Sequence, residues 1–317
     1  LIHPDMSANV TMDNIDTGRR KTMGMLAGAL AFAAGAALPV KALTRTGSRS
    51  WPLWTIRRGS KTIYLTAETP PQPTDWHDPS IEQLLMHRSA LWTETNSVYR
   101  QSQNELIRRY GVDARRPLDA WLDAHDKARL AKAAAYCGLK PGDLAPYRPW
   151  LAGSILQEQF YQIAGWKGKS ARDVLVDRAT RAGTPWHSEF KAKDDVFAWF
   201  GAFTPLQDIQ YLRYMLDEVL AGPAHDAGIF VDWAAGRVGA AAAEVQRYSH
   251  AYPELAHKLT FERNQGWLAR FEDMLASGST PLVVVGLYHM VGPTGILALA
   301  KHKGLAVESL QDTDGPQ

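Results

Sequence analysis

Hydrophobic residues fall into two kinds of run along this chain, short continuous ones towards its ends and long periodic ones between them. Trp54-Thr55-Ile56 and Thr62-Ile63-Tyr64-Leu65 are rich in β-branched and aromatic residues and flank Arg57-Arg58-Gly59-Ser60-Lys61, a pattern that predicts a hairpin. After a proline-studded loop from Thr69 to Thr74, Asp78-Pro79-Ser80 introduces a helix over 81–87, with proline near the first turn, where its missing N–H costs little. Ala90-Leu91-Trp92-Thr93 predicts a further strand. Pro281-Leu282-Val283-Val284-Val285 has no polar face and predicts a buried strand. A helix follows over 295–303, closed by Gly304, and Leu305 to Leu310 returns as a strand, so the three form a βαβ-like unit.

From about Asn96 to Gly278 the period changes. Apolar residues recur at spacings of three and four, as in Leu212, Met215, Leu216 and Val219, giving helices with one apolar face each. Breaks fall at Gly138, Pro141, Pro146 and Pro149, around Gly165 to Gly168, at Gly183 to Pro185, and at Gly222-Pro223. One strand-like interruption lies at Thr184-Pro185-Trp186-His187, and Trp150, Phe160, Trp199 and Phe200 read as core aromatics. The fold class that follows is α/β (α+β mixed): a small central mixed sheet from both chain ends, covered by a large helical insert.

Composition narrows the function. With 45% hydrophobic and 21% charged residues, the 317-residue chain has the profile of a folded protein with a substantial core. Lysine plus arginine number 35 against 33 acidic residues, so no basic field argues for nucleic acid as a partner. The single cysteine, Cys137, excludes an intramolecular disulfide and reads as a small buried apolar side chain. Arg19-Arg20-Lys21 precedes an uncharged run from Thr22 to Val40, the layout of an export signal, with a cleavage position after Ala42. The paired arginines are similar to a twin-arginine signal, which passes folded cargo. The expectation is a periplasmic or exported protein, anchored in the inner membrane only if the signal stays uncleaved. Its organisation is then an N-terminal extension and signal over 1–42, one domain over 43–310 and a flexible tail over 311–317.

Candidate chemistry concentrates behind the buried C-terminal strand, which runs into Gly286-Leu287-Tyr288-His289-Met290-Val291-Gly292-Pro293-Thr294-Gly295. Ligands of open α/β sheets bind beyond the carboxyl ends of strands, and an imidazole there can ligate a metal or move a proton. Ser154, Ser188 and Ser249 lack the context of a nucleophile elbow, and no phosphate loop or dinucleotide fingerprint occurs.

These residues carry a resemblance. Glu262-Arg263-Asn264-Gln265-Gly266-Trp267, Thr280 to His289 and Gly292-Pro293-Thr294-Gly295-Ile296 resemble the C-terminal signature of the TraB/GumN family, which includes bacterial GumN-like proteins and is similar to the Tiki membrane metalloproteases. The resemblance extends through Leu53 to Leu65, Trp92-Thr93-Glu94-Thr95, Pro149-Trp150-Leu151, Val176-Asp177 and His187-Ser188-Glu189. It implies a divalent metal (Mn, Co or Zn) bound through two Gly-x-x-His motifs and glutamates. His289 would be the C-terminal ligand, Glu94 a ligand or base and Glu189 a further acidic residue. Arg263, Asn264 and Gly286 would support the site. The first motif departs from the pattern, because Ala67-Glu68-Thr69-Pro70 puts proline where histidine belongs. Glu68 and His77 are the candidate replacements, and a set dominated by carboxylates favours harder ions such as Mn²⁺ or Mg²⁺.

Two readings stand side by side. In one, the protein is a metal-dependent, peptidase-like hydrolase in which a bound ion activates water and Glu94 or Glu189 handles the proton. In the other, a non-catalytic relative keeps the fold and its cleft to bind a peptide, a glycan or an envelope protein.

Overall fold

A computed structural model of the chain describes residues 51–69 and 71–310; the run expected to be an export signal, the segment expected to be a tail and Pro70 lie outside the described residues. Six strands make one sheet: β1 Leu53–Arg58, β2 Lys61–Glu68, β3 Leu91–Thr95, β4 Trp186–Phe190, β5 Leu282–Gly286 and β6 Ala306–Ser309. Their order is β4-β3-β5-β2-β1-β6. The expected hairpin forms, with Arg58 opposite Lys61 and Gly59 at φ 61, a turn conformation that glycine adopts without strain. Every residue of β5 is buried, as a continuous apolar strand at the centre of a sheet covered on both faces must be.

β4, β3, β5 and β2 run parallel, so four neighbouring strands release their chains at one edge of the sheet. The βαβ-like unit at the C-terminus has a wider crossover than its spacing suggests. β6 shares its direction with β5, yet the β1–β2 hairpin is inserted between them, and β6 pairs with β1. β5 needs apolar neighbours on both sides, which β2 and β3 supply, whereas the exposed β6 suits a sheet edge.

The region between β3 and β5 is helical apart from β4. Its central pair, Pro149–Ile163 and Pro205–Ala221, is tied by Arg148, which meets the fully buried Asp208 at 2.6 Å and donates to the Gly201 carbonyl at 2.7 Å. Helix Pro223–Ala234 reaches the sheet through Trp233, whose ring centre lies 5.5 Å from that of Trp54. Among the described residues no helix is long and apolar enough to cross a membrane.

The loop between β5 and helix Ile296–His302 closes tightly. A Cβ on Gly295 would lie 2.4 Å from the Val291 carbonyl oxygen and 2.7 Å from that of Met290, so only glycine lets this backbone fold back on itself. Gly295→Ala is expected to destabilise the protein by about 1–3 kcal/mol through overpacking. An unchanged midpoint in urea unfolding would show that the loop yields without cost.

Candidate functional site

The parallel register sets the site. Glu68, the last residue of β2, pairs with Gly286 at the end of β5, and Thr95 of β3 pairs with Phe190 of β4. Glu94 and Glu189 are therefore the penultimate residues of adjacent strands, at the edge where ligands of such sheets bind. β5 leads directly into a single helical turn, Leu287–Met290, which carries His289. Helix Glu262–Ser277 brings Arg263 and Asn264 in its first turn, immediately after a π-turn at His257–Phe261, a distortion that recurs beside functional sites.

These side chains form one buried group around Arg263. Its Nη2 donates to Glu94 Oε2 at 2.8 Å and to Glu189 Oε2 at 2.6 Å, and its Nη1 reaches His289 Nε2 at 2.7 Å. Glu94 Oε1 accepts from the Gly286 amide. Asn264 Nδ2 donates to the carbonyls of His289 (3.2 Å) and Thr294 (2.7 Å), which turns its Oδ1 towards His289 Nδ1 at 2.6 Å. That assigns the tautomer: Nδ1–H donates to Asn264, and the Nε2 lone pair accepts from arginine. Phe190 and Trp199 flank the guanidinium at 5.6 and 5.9 Å.

The electrostatics follow from burial and one cation. Burial raises the cost of ionising Glu94, but the charge and hydrogen bond of Arg263 outweigh it and hold the carboxyl well below its usual range. Burial, with Arg263 beside it, pushes the His289 imidazole down to about 3, against the pull of Glu94. His289 is therefore neutral at physiological pH.

The structure thus brings together Glu94, Glu189, His289, Arg263, Asn264 and Gly286, places Glu68 beside that group and close enough to Glu94 for the two carboxyls to repel, and leaves His77 apart from it. Glu68 lines the adjoining cavity, where Ser170 Oγ donates to it at 3.0 Å; burial raises its pKa against the nearby Arg172. His77 points elsewhere, pairing with Glu82 at 2.5 Å with 64% of its side chain exposed. Pro70, where the first histidine of the pattern belongs, lies outside the described residues.

As arranged, this group does not fit a divalent ion. His289, Glu94 and Glu189 are the groups that hold Arg263, and none of them carries a buried polar atom without a partner. An ion would have to sit against a buried guanidinium or displace it.

Beyond the strand ends lies a cavity of about 280 Å³. One end carries Glu68, Glu94, Ser170 and Arg172; another part of the lining carries Glu218, Asp226, Tyr161 and Tyr288. Sequence reasoning missed Glu218 and Asp226. Their one signal was position, on either side of the Gly222-Pro223 helix break. Burial, with Asp226 and Glu244 nearby, holds Glu218 well above the usual carboxylate range, and burial pushes Asp226 up to about 6.

The sequence profile of the TraB/PrgY/gumN family matches residues 52–309, and the chain belongs to that family. No match was found among curated proteins or among solved structures.

Two predictions follow from the buried group. Arg263→Met strands two carboxylates and should cost about 3–5 kcal/mol, part of which returns when Glu94→Gln is added. Equal stabilities of the single and double variants would show that Arg263 does not compensate Glu94. The second concerns pH. His289 is neutral when folded and takes a proton near pH 6.5 when unfolded, so acid favours the unfolded chain, and stability falls from about pH 6.5 towards 3. Between pH 7 and 5, wild type should lose about 2 kcal/mol more than His289→Gln, measured by urea unfolding. Parallel losses would refute a neutral His289.

Proposed function

We propose that this TraB/PrgY/gumN-family protein is exported to the periplasm and acts there as a binding or regulatory protein of the cell envelope. Its ligand, a segment of a peptide, glycan or envelope protein, enters the cavity beyond the strand ends. The observation that carries this reading is the position of Arg263, whose guanidinium already occupies the centre of the Glu94, Glu189 and His289 group. A hydrogen-bonded group built around a buried guanidinium shapes a wall and offers no open coordination position for activating water. The cavity suits recognition: about 280 Å³ accepts one side chain or one sugar ring, and Tyr161, Trp166 and Phe230 set aromatic faces among its polar groups.

The hydrolase reading implied by the family requires His289 and Glu94 to release Arg263 to an ion. Elemental analysis of the purified full chain, with His289→Ala and Glu94→Ala variants, separates the two. The expected result is no metal whose retention depends on either residue, together with saturable binding of peptide or glycan fragments from an envelope digest, weakened at least tenfold by Tyr161→Ala. One ion per chain, lost from both variants while they remain folded, and accompanied by metal-dependent peptide hydrolysis, would replace this reading with the hydrolase.

A further inference from the structure

The cavity wall formed by two helix ends holds a second set of ligand-type groups. Helix Pro205–Ala221 ends one turn after Glu218, Gly222 turns the chain at φ 82, and helix Pro223–Ala234 opens with His225 and Asp226 in its first turn. Glu218, His225 and Asp226 each offer one ligand atom, and these atoms all lie within 4.8 Å of one another. Around a tetrahedral ion bound at about 2.1 Å, ligand atoms are about 3.4 Å apart, so side-chain adjustments of about 1 Å would close the set.

Three features distinguish this set from a chance acidic surface. Glu218 and Asp226 are 6% and 5% exposed, and both line the cavity. Asp226 Oδ1 is buried with no donor beside it other than the neighbouring Glu218 carboxyl, an uncommon setting for a carboxylate oxygen and one that a cation relieves. The charge is also unbalanced. Glu244, itself buried, lies 3.5 Å from His225 Nε2, and Arg247 pairs with two of the acids, at 2.6 Å from Glu244 and 3.1 Å from Glu218. Of three clustered buried carboxyls only two pair with this guanidinium, whereas Glu94 and Glu189 both pair with the one they enclose.

We propose that Glu218, His225 and Asp226 form a binding site for a first-row divalent cation of the Mn²⁺, Co²⁺ or Zn²⁺ type, in the cavity wall and separate from His289. Two carboxylates and one imidazole match the donor preferences of these ions, with carboxylate oxygen favouring Mn²⁺ and imidazole suiting Zn²⁺. Glu244 lies 3.5 Å from His225 Nε2, from where a carboxylate would orient an imidazole that ligates through Nδ1. The site does not depend on what the cavity binds.

The test is calorimetric titration of the chelator-treated full chain with MnCl₂, CoCl₂ and ZnCl₂ separately, beside Asp226→Asn, Glu218→Gln, His225→Ala and a control, His257→Ala, in which an exposed histidine 3.6 Å from Glu262 is removed. One ion per chain is expected for at least one metal, weakened at least tenfold in the three variants and unchanged in the control. His225 is partly exposed, so its variant folds even if a buried-acid variant does not. The Co²⁺ visible spectrum should change with His225→Ala, reporting loss of a nitrogen ligand. No saturable binding by folded wild type, or binding that survives both His225→Ala and Asp226→Asn, overturns the proposal. An ion lost with Glu94→Gln but kept by Asp226→Asn would place the metal at the strand ends and overturn both this site and the binding reading above.

Discussion

Two carboxylates at the ends of neighbouring strands lie side by side in a dry interior only with a cation between them, and in this chain the cation is Arg263. Its guanidinium connects β3, β4, the turn after β5 and the start of helix Glu262–Ser277 in one contact set. Removing any one member leaves another charged or polar group unpaired. Such a group contributes less to net stability than apolar packing would, but it is expensive to break, so its consequence is geometric precision at the edge where the sheet opens. Asn264 extends that precision by one residue, fixing the His289 ring through a side chain that also fastens the glycine-rich loop.

The elements of the fold could be read from period and punctuation. The β-branched runs around Gly59, the unbroken apolar run before Gly286 and the three-and-four spacing of Leu212 to Val219 each became the element their pattern predicts. Strand order could not be read in this way, because nothing local in Leu305 to Leu310 says whether it pairs with the strand that precedes it by one helix or with β1, some 250 residues earlier in register. The candidate site divides along the same line. Glu94, Glu189, Arg263 and His289 were marked out by a family signature, yet their mutual arrangement depends on the parallel register of β3 with β4 and with β5. A list of ligand-type residues does not disclose that an arginine stands among them as their common partner.

The acids on the cavity wall illustrate the complementary difficulty. Glu218 and Asp226 sit in helices whose apolar faces dominate the pattern, and a carboxylate in such a helix ordinarily faces solvent. Their burial results from the turn at Gly222, which folds the second helix back so that both acids face the same cavity. Two acid groups in one interior are thus handled in opposite ways. At the strand ends the Arg263 guanidinium lies between two carboxylates and holds Glu94 below the usual range; at the helix junction burial holds Glu218 well above that range and raises Asp226 to about 6.

The placement of β5 bears on the timing of synthesis. Its neighbours β2 and β3 emerge from the ribosome early, but the strand that joins them, and the His289 turn behind it, follow only after the whole helical region has been made. Until then β2 and β3 each lack the neighbour that β5 supplies, and Glu94 and Glu189 lack Arg263. Native assembly is therefore a late event governed by long-range closure, and the nascent chain passes through a stage with exposed strand edges. A cell making this protein has to shield that stage until the last strands are out.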